Sequence, residues 1–347
     1  MAAPVSAPSV PGVEPSPAVP TVTVIIATFD RSNIIGDVIR SVIAQTRTDW
    51  ELLVIGDGCT DDTAEVVAAF ADARIRYVNL DPRVGDQSGP TNAGIDLARG
   101  RYIALLNHDD FWFPDHLART LSTLERSGAD LTFTLQLESD PDGSWRINAS
   151  FPGGTWDPLV HPNASTWVFR RELASRVGRL RHRDRVYTYP TRDWLWRARK
   201  VGATFIATPA VTALVISATT RRNVYSERQW REHAAVWRAM CEEPAYREQR
   251  LTDAWLNPQP THLRIFSARV LFRALLQRGI GRLAQTFGID PEIVYCYYKF
   301  PRRWGFLPER GAVIRELYRR RGLTDTVGSA PHPRAAHHVD PSTEQPR

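Results

Sequence analysis

Four short apolar runs recur along the first third of the chain, and their spacing constrains the fold more than any other feature. Val22-Thr23-Val24-Ile25-Ile26-Ala27, Leu52-Leu53-Val54-Ile55, Ile75-Arg76-Tyr77-Val78 and Tyr102-Ile103-Ala104-Leu105-Leu106 are rich in β-branched and aliphatic residues, as buried parallel strands are. Stretches of helical periodicity separate them. Ile35, Val38, Ile39, Val42 and Ile43 repeat at helical spacing, with Ser32 and Asn33 as N-cap candidates. Val66, Val67 and Phe70 mark a second helix, and the segment from Gly85 to Gly94 reads as a loop running into a third. Strands alternating with helices predict an α/β fold with a mainly parallel sheet flanked by helices, built of right-handed crossovers.

In such a sheet ligands bind beyond the carboxyl ends of the strands. Three runs end in acidic or Gly-rich loops: Thr28-Phe29-Asp30-Arg31, Gly56-Asp57-Gly58-Cys59-Thr60-Asp61 and Asn107-His108-Asp109-Asp110. These loops should share one crevice. Adjacent carboxylates at Asp109 and Asp110 repel one another unless a cation or hydrogen-bond donors compensate, and hard oxygen ligands suit Mg²⁺ or Mn²⁺. The alternative is that the pair caps the following helix, which Pro114 introduces. Asp57 either hydrogen-bonds a base or ribose or is a turn residue between two glycines. No Gly-x-Gly-x-x-Gly fingerprint or Gly-Lys-Ser/Thr phosphate loop follows the first strand, so the common nucleotide-binding loops are excluded.

The motifs, in order, resemble the family 2 glycosyltransferases of GT-A fold. Val24 to Arg31 is similar to that family's opening strand, and Gly56 to Asp61 to its Asp-Asp-Gly-Ser-x-Asp loop. Asn92-Ala93-Gly94-Ile95 and Gly100-Arg101-Tyr102-Ile103 match the segment that leads to its metal motif, where Asn107-His108-Asp109 occupies the Asp-x-Asp slot. The resemblance spans roughly residues 21 to 217. Gly56, Cys59 and Asn107 stand where the family commonly has Asp, Ser and Asp. Pro190-Thr191-Arg192-Asp193-Trp194-Leu195 is similar to the family's Glu-Asp-x-x-Leu helix, with Arg192 in place of the usual Glu.

The resemblance implies an inverting transferase that moves a sugar from a nucleotide-diphosphate donor, a UDP-sugar first among them, to an acceptor hydroxyl. Asp193 would be the catalytic base; a surface acid at a helix start is the other reading, and Asp184 and Asp157 are the next candidates. Thr28, Phe29, Asp30, Asp57, Asn92 and His108 would border the donor nucleotide, although His108 reads equally as structural. Asp109, assisted by Asn107, would hold Mg²⁺ or Mn²⁺. The acceptor implied is a glycan, lipid-linked or small-molecule hydroxyl in cell-envelope polysaccharide assembly. Absence of the Gln-x-x-Arg-Trp signature points to non-processive transfer. A nucleotidyltransferase and a non-catalytic nucleotide-sugar-binding module of the same shape are the rival readings.

The rest of the chain fixes the domain plan. Residues 1–20 carry Pro, Ala, Ser and Val with no Lys or Arg, which reads as a disordered leader and not as a signal peptide. Residues 21–217 form the α/β domain, 218–327 a helical C-terminal region and 328–347 a disordered tail. Apolar residues at helical spacing lie in Gln229 to Cys241 and Leu263 to Phe287. The aromatic clusters Tyr295 to Tyr298 and Trp304 to Phe306 are core or acceptor-groove residues. The net charge of +6 is concentrated in arginines of the second half and suits anionic partners: a nucleotide diphosphate, or a membrane surface touched by basic helices. Nucleic acid is not expected. Three widely spaced cysteines give no disulfide or zinc pattern, which suggests a reducing cytoplasmic setting, with peripheral contact at the inner face of the membrane as an extension.

Overall fold

The apolar runs of β1, β2 and β4 are continuous because both faces of these strands are buried. In a computed structural model that describes residues 19–148, 162–216, 222–225, 231–256 and 309–323, β1 (Val22–Thr28), β2 (Trp50–Gly56), β3 (Ile75–Asn79) and β4 (Tyr102–Asn107) are parallel neighbours. Alternate side chains of each strand enter different cores. Val24, Ile26, Leu52, Val54, Ala104 and Leu106 pack with α1 (Ser32–Ile43), whereas Ile25, Leu53, Ile55, Ile103 and Leu105 join a second cluster on the opposite face. In β1 and β2 this two-residue alternation leaves Thr23 and Glu51 as the polar interior positions, and they bond each other at 2.7 Å.

The first strand pairs Ala27 with Asn107 and Thr28 with Gly56, so the polar ends of β1, β2 and β4 stand level along one edge. α2 (Thr63–Ala68) and α3 (Ser88–Leu97) complete the crossovers. A side chain at Gly94 would bring its Cβ to 2.5 Å from Ile25; glycine there lets α3 lie directly on β1. The sheet then becomes mixed. Its order is β3-β2-β1-β4-β8-β6-β9-β5, with β7 paired to β6, the added strands being β5 (Asp110–Trp112), β6 (Leu131–Ser139), β7 (Trp145–Asn148), β8 (Trp167–Arg170) and β9 (Phe205–Ile216). β8 runs antiparallel to β4 and β6, so the expected parallel character holds among β1 to β4 and again between β6 and β9.

α4 (His116–Ser127), α5 (Arg171–Val177) and α6 (Pro190–Lys200) flank these strands, and α7 (Arg231–Glu242), α8 (Tyr246–Leu256) and α9 (Ala312–Arg320) follow them. Val236 of α7 and Tyr246 and Ala254 of α8 are part of the core that α1 covers, so these helices pack on the sheet. Helix α1 begins at Ser32 itself, without a side-chain cap; the Ser32 amide instead donates to Asp61 at 3.0 Å. The stretches Leu263 to Phe287, Tyr295 to Tyr298 and Trp304 to Phe306, and Asp157, lie outside the described residues. No helix among the described residues is long and apolar enough to cross a membrane.

Candidate functional site

The level strand ends open into a cavity of about 640 Å³, a size that suits a drug-sized or nucleotide-sized ligand. Thr28, Phe29, Asp57, Asn107, His108 and Asp109 line it, together with residues that the sequence did not single out: Asp86 and Gln87 before α3, Glu138 of β6, Thr191 of α6, Tyr225, and Tyr318 and Arg321 from the α9 segment. The C-terminal segment is therefore one wall of the site. It is tied to residues 222–225 by two backbone bonds, Asn223 N–H to Arg320 O at 2.9 Å and Tyr225 N–H to Arg321 O at 3.0 Å.

Asp109 sits where β4 has ended, buried among cavity residues. Among the described residues no hydrogen-bond donor engages its carboxylate. Burial works against its charge, but His108, Arg321 and Arg31 outweigh it and hold Asp109 below the usual carboxylate range. Since burial pushes His108 itself down to about 4, the two arginines supply that field at neutral pH. Asp110 takes the opposite course. Burial and the neighbouring Asp109 push it up to about 8, against hydrogen bonds from Ser165 Oγ at 2.5 Å and Asn107 Nδ2 at 2.9 Å. The adjacent pair thus divides into one ionised and one largely protonated carboxyl at neutral pH.

His108 closes the floor. Its Nδ1 lies 3.1 Å from Ala27 O and its Nε2 3.2 Å from the Tyr225 hydroxyl. Arg31, buried beside it, lies over the Tyr225 ring at 4.0 Å and donates to Val224 O at 2.8 Å. On the opposite side Arg83 stacks on Phe29 at 3.6 Å, which presents a flat surface next to Thr28.

Three expected residues are elsewhere, and two within the cavity have other duties. Asp193 does not line the cavity: Arg197 Nε reaches one carboxylate oxygen at 2.8 Å and Arg181 Nη1 the other at 3.1 Å. As first-turn residue of α6 it points away from the side that carries Thr191, because two residues turn a helix by about 200°. Asp193, expected as the base, thus stands outside the cavity with both oxygens paired. Asn92 clamps the Leu180 backbone, donating to its oxygen at 2.9 Å and accepting from its amide at 2.8 Å, and it faces no ligand. Asp30 accepts from the Thr60 and Asp61 amides, which fastens the β1 loop to the β2 loop; its own φ of 46° is the left-handed conformation that Asp tolerates. Asp184 pairs with Arg315 at 2.9 Å and is half-exposed.

Asp57 does border the cavity, but its two oxygens accept from the Val84 and Gly85 amides at 2.8 and 2.7 Å. Burial raises its carboxyl above the ordinary range in spite of those bonds. Its place is to shape the β3–α3 connection, and a direct bond to the nucleoside would have to compete with it. Asn107 turns its amide nitrogen to Asp110 and Asn163, at 2.9 and 2.8 Å, while Gln87 Nε2 approaches its oxygen at 3.3 Å. It is a strut between Asp110 and the neighbouring loop, and Gln87 shares its oxygen.

The donor set still fits a divalent cation of the kind implied by the resemblance, through other atoms. Asp109 offers an ionised, uncommitted carboxylate. Beside its backbone lies the buried ring of His233 on α7, neither of whose nitrogens makes a hydrogen bond of good geometry; burial keeps that imidazole below its usual range and therefore neutral. The Asp109 carboxylate with phosphate oxygens is an acceptable set for Mg²⁺ or Mn²⁺, while His233 lies outside the cavity lining. The sequence hid His233 because it lies in an amphipathic helix more than a hundred residues downstream.

Comparison with known proteins agrees with this geometry. Residues 23–178, a little under half of the chain, match the model described as glycosyl transferase family 2. The chain is 39% identical over 113 residues to the succinoglycan biosynthesis protein ExoO of Rhizobium meliloti, a match that covers 33% of this chain and 32% of the relative. It is 31% identical over 112 residues, 32% of this chain and 44% of the relative, to the Escherichia coli UDP-Glc:alpha-D-GlcNAc-diphosphoundecaprenol beta-1,3-glucosyltransferase WfgD. The match thus spans less than half the length of these curated relatives. Among solved structures, S. aureus TarS 1-349 in complex with UDP-GlcNAc superposes with a TM-score of 0.50 at 13% identity, over 76% of this chain and 81% of that one. The sheet and its helices have the GT-A fold.

Proposed function

Residues 23–178 belong to glycosyl transferase family 2, and from that premise we propose that the chain transfers a single sugar from a nucleoside-diphosphate donor to an acceptor hydroxyl in the assembly of an envelope polysaccharide. Asp109 carries the reading. It is an ionised carboxylate with no protein donor, at the carboxyl end of β4, in a cavity of nucleotide-sugar size. The ExoO and WfgD names support polysaccharide assembly, and the WfgD name supports a UDP-sugar donor and a lipid-linked acceptor. Such an acceptor would bring the reaction to the inner face of the membrane, where the basic C-terminal half is suited to anionic headgroups.

In this reading the nucleobase lies against Phe29 and Arg83, and the diphosphate lies toward Asp109, Arg31 and Arg321. Asp109 would hold Mg²⁺ or Mn²⁺, which would supply neutralisation of the charge that develops on the departing diphosphate. Arg31 and Arg321 contribute fixed positive charge to the same end. An inverting displacement also needs a proton acceptor on the acceptor side. Asp193 lies outside the cavity, so in this reading the role falls to a carboxylate of the cavity wall. Glu138 lies there, ion-paired to Arg146 at 2.5 Å.

Titration of the full chain with UDP, with and without Mn²⁺, tests the donor side. Release of UDP from UDP-sugars in the presence of a lipid-linked acceptor, with the anomeric configuration of the product read by NMR, tests transfer and inversion. Nucleotide binding without any transfer would instead favour a non-catalytic binding module.

A further inference from the structure

Asp86 stands in the connection between β3 and α3, 3% exposed yet part of the cavity wall. Its Oδ1 accepts from the Ser88 amide at 2.8 Å. Its Oδ2 is buried and, among the described residues, has no hydrogen-bond partner. The connection is fastened on both sides of it, by Asp57 to the Val84 and Gly85 amides and by Gln87 to Asn107, so the free oxygen is presented in a fixed position. Burial is the largest influence on this carboxyl and raises it, opposed first by the Ser88 hydroxyl and amide and then by His182 and Arg183.

A buried carboxylate oxygen without a donor is a cost to folding, and no contact within the fold returns it, since the Ser88 bond needs only the other oxygen. An orphaned acceptor on a ligand-sized cavity awaits a donor from the ligand. A phosphate would be repelled and an apolar group would leave the oxygen unpaired. A hydroxyl-bearing sugar supplies the missing O–H. We propose that Asp86 reads the transferred sugar, its Oδ2 accepting a hydrogen bond from a hydroxyl of the donor's hexose ring. This rests on the glycosyltransferase reading and adds a specificity-determining residue to it.

The test is titration of the full chain, wild type and Asp86→Asn, with UDP-glucose, UDP-galactose, UDP-N-acetylglucosamine and GDP-mannose, each beside its bare nucleoside diphosphate. For the sugar nucleotide the wild type binds best, Asp86→Asn should weaken affinity about tenfold or more, the scale of a hydrogen bond to a charged group. Affinity for the bare diphosphate should stay within about twofold. Asp86→Ser, which keeps an oxygen for Ser88, should show the same selective loss, and neither variant should melt lower than wild type by more than a few degrees.

Equal losses for sugar nucleotide and bare diphosphate would overturn the proposal in favour of a loop-shaping role. Unchanged donor affinity with a fall in kcat alone would make Asp86 a proton acceptor and overturn it as well. A wild type that binds every sugar nucleotide no better than its diphosphate also overturns it. A wild type that binds no nucleotide at all overturns the parent reading first, which separates the two failures.

Discussion

Arg197 holds the Asp193 carboxylate at 2.8 Å from one turn further along α6, and Arg181 holds its other oxygen, outside the cavity. Asp193→Asn should therefore leave turnover within about threefold of wild type, far from the 10²–10⁴-fold loss that follows removal of a general base. It should cost about 1.5–3 kcal/mol of stability, because Arg197 loses a charged partner in a half-buried setting. Transfer rate at saturating donor, beside urea unfolding of the same variant, checks both halves.

Asp109→Ala should remove the tightening of UDP binding by Mn²⁺ and leave the melting temperature unchanged or higher. No protein donor depends on this carboxylate, and its burial opposes folding. Titrations with and without Mn²⁺, read with a melting curve, decide the matter; a variant that still responds to Mn²⁺ like wild type would move the cation away from Asp109.

Asp57→Ala should lower stability and nucleotide affinity together, since the Val84 and Gly85 amides lose their acceptor and the wall bearing Asp86 loosens. The expected stability loss is about 1–3 kcal/mol. Faster hydrogen exchange at those two amides is the direct readout, and protection equal to wild type would contradict the role given to Asp57.

His116 gives a pH dependence of known sign. The ring is fully buried, stacked on Trp112 at 4.2 Å and bonded to Thr212 at 2.8 Å, and burial pushes it down to about 3. The unfolded chain takes up a proton at this residue near pH 6.5 and the folded chain does not, so its contribution to stability falls as the pH drops below 6.5 and continues to fall toward 3. The slope approaches about 1.4 kcal/mol per pH unit. His116→Phe lacks the titration, and its stability relative to wild type should rise between pH 6.5 and 5 in paired denaturant titrations.

The sheet was legible in the sequence because its strands are buried on both faces, and a run such as Val22 to Ala27 carries that condition in six consecutive residues. The loops at Asp57 and Asp109 were legible because they interrupt such runs. What their side chains do was not, since it depends on partners far away: Leu180 for Asn92, Arg181 and Arg197 for Asp193, Val84 and Gly85 for Asp57. A one-residue choice on a helix decides between opposite faces, and Thr191 and Asp193 fall on different sides of α6 for that reason alone. Asp86, His233 and Arg321 gave no signal because nothing local distinguishes a buried orphan from an ordinary polar residue.

The wall of the cavity begins at residue 27 and ends at residue 323, whereas every strand of the sheet is complete by residue 216. During synthesis the described strands thus leave the ribosome just under a hundred residues before Ile314, the first of the residues that roof the site. A nascent chain can possess the folded sheet and an open trough, but not an enclosed binding chamber, and the full affinity for ligand is the last property the molecule acquires.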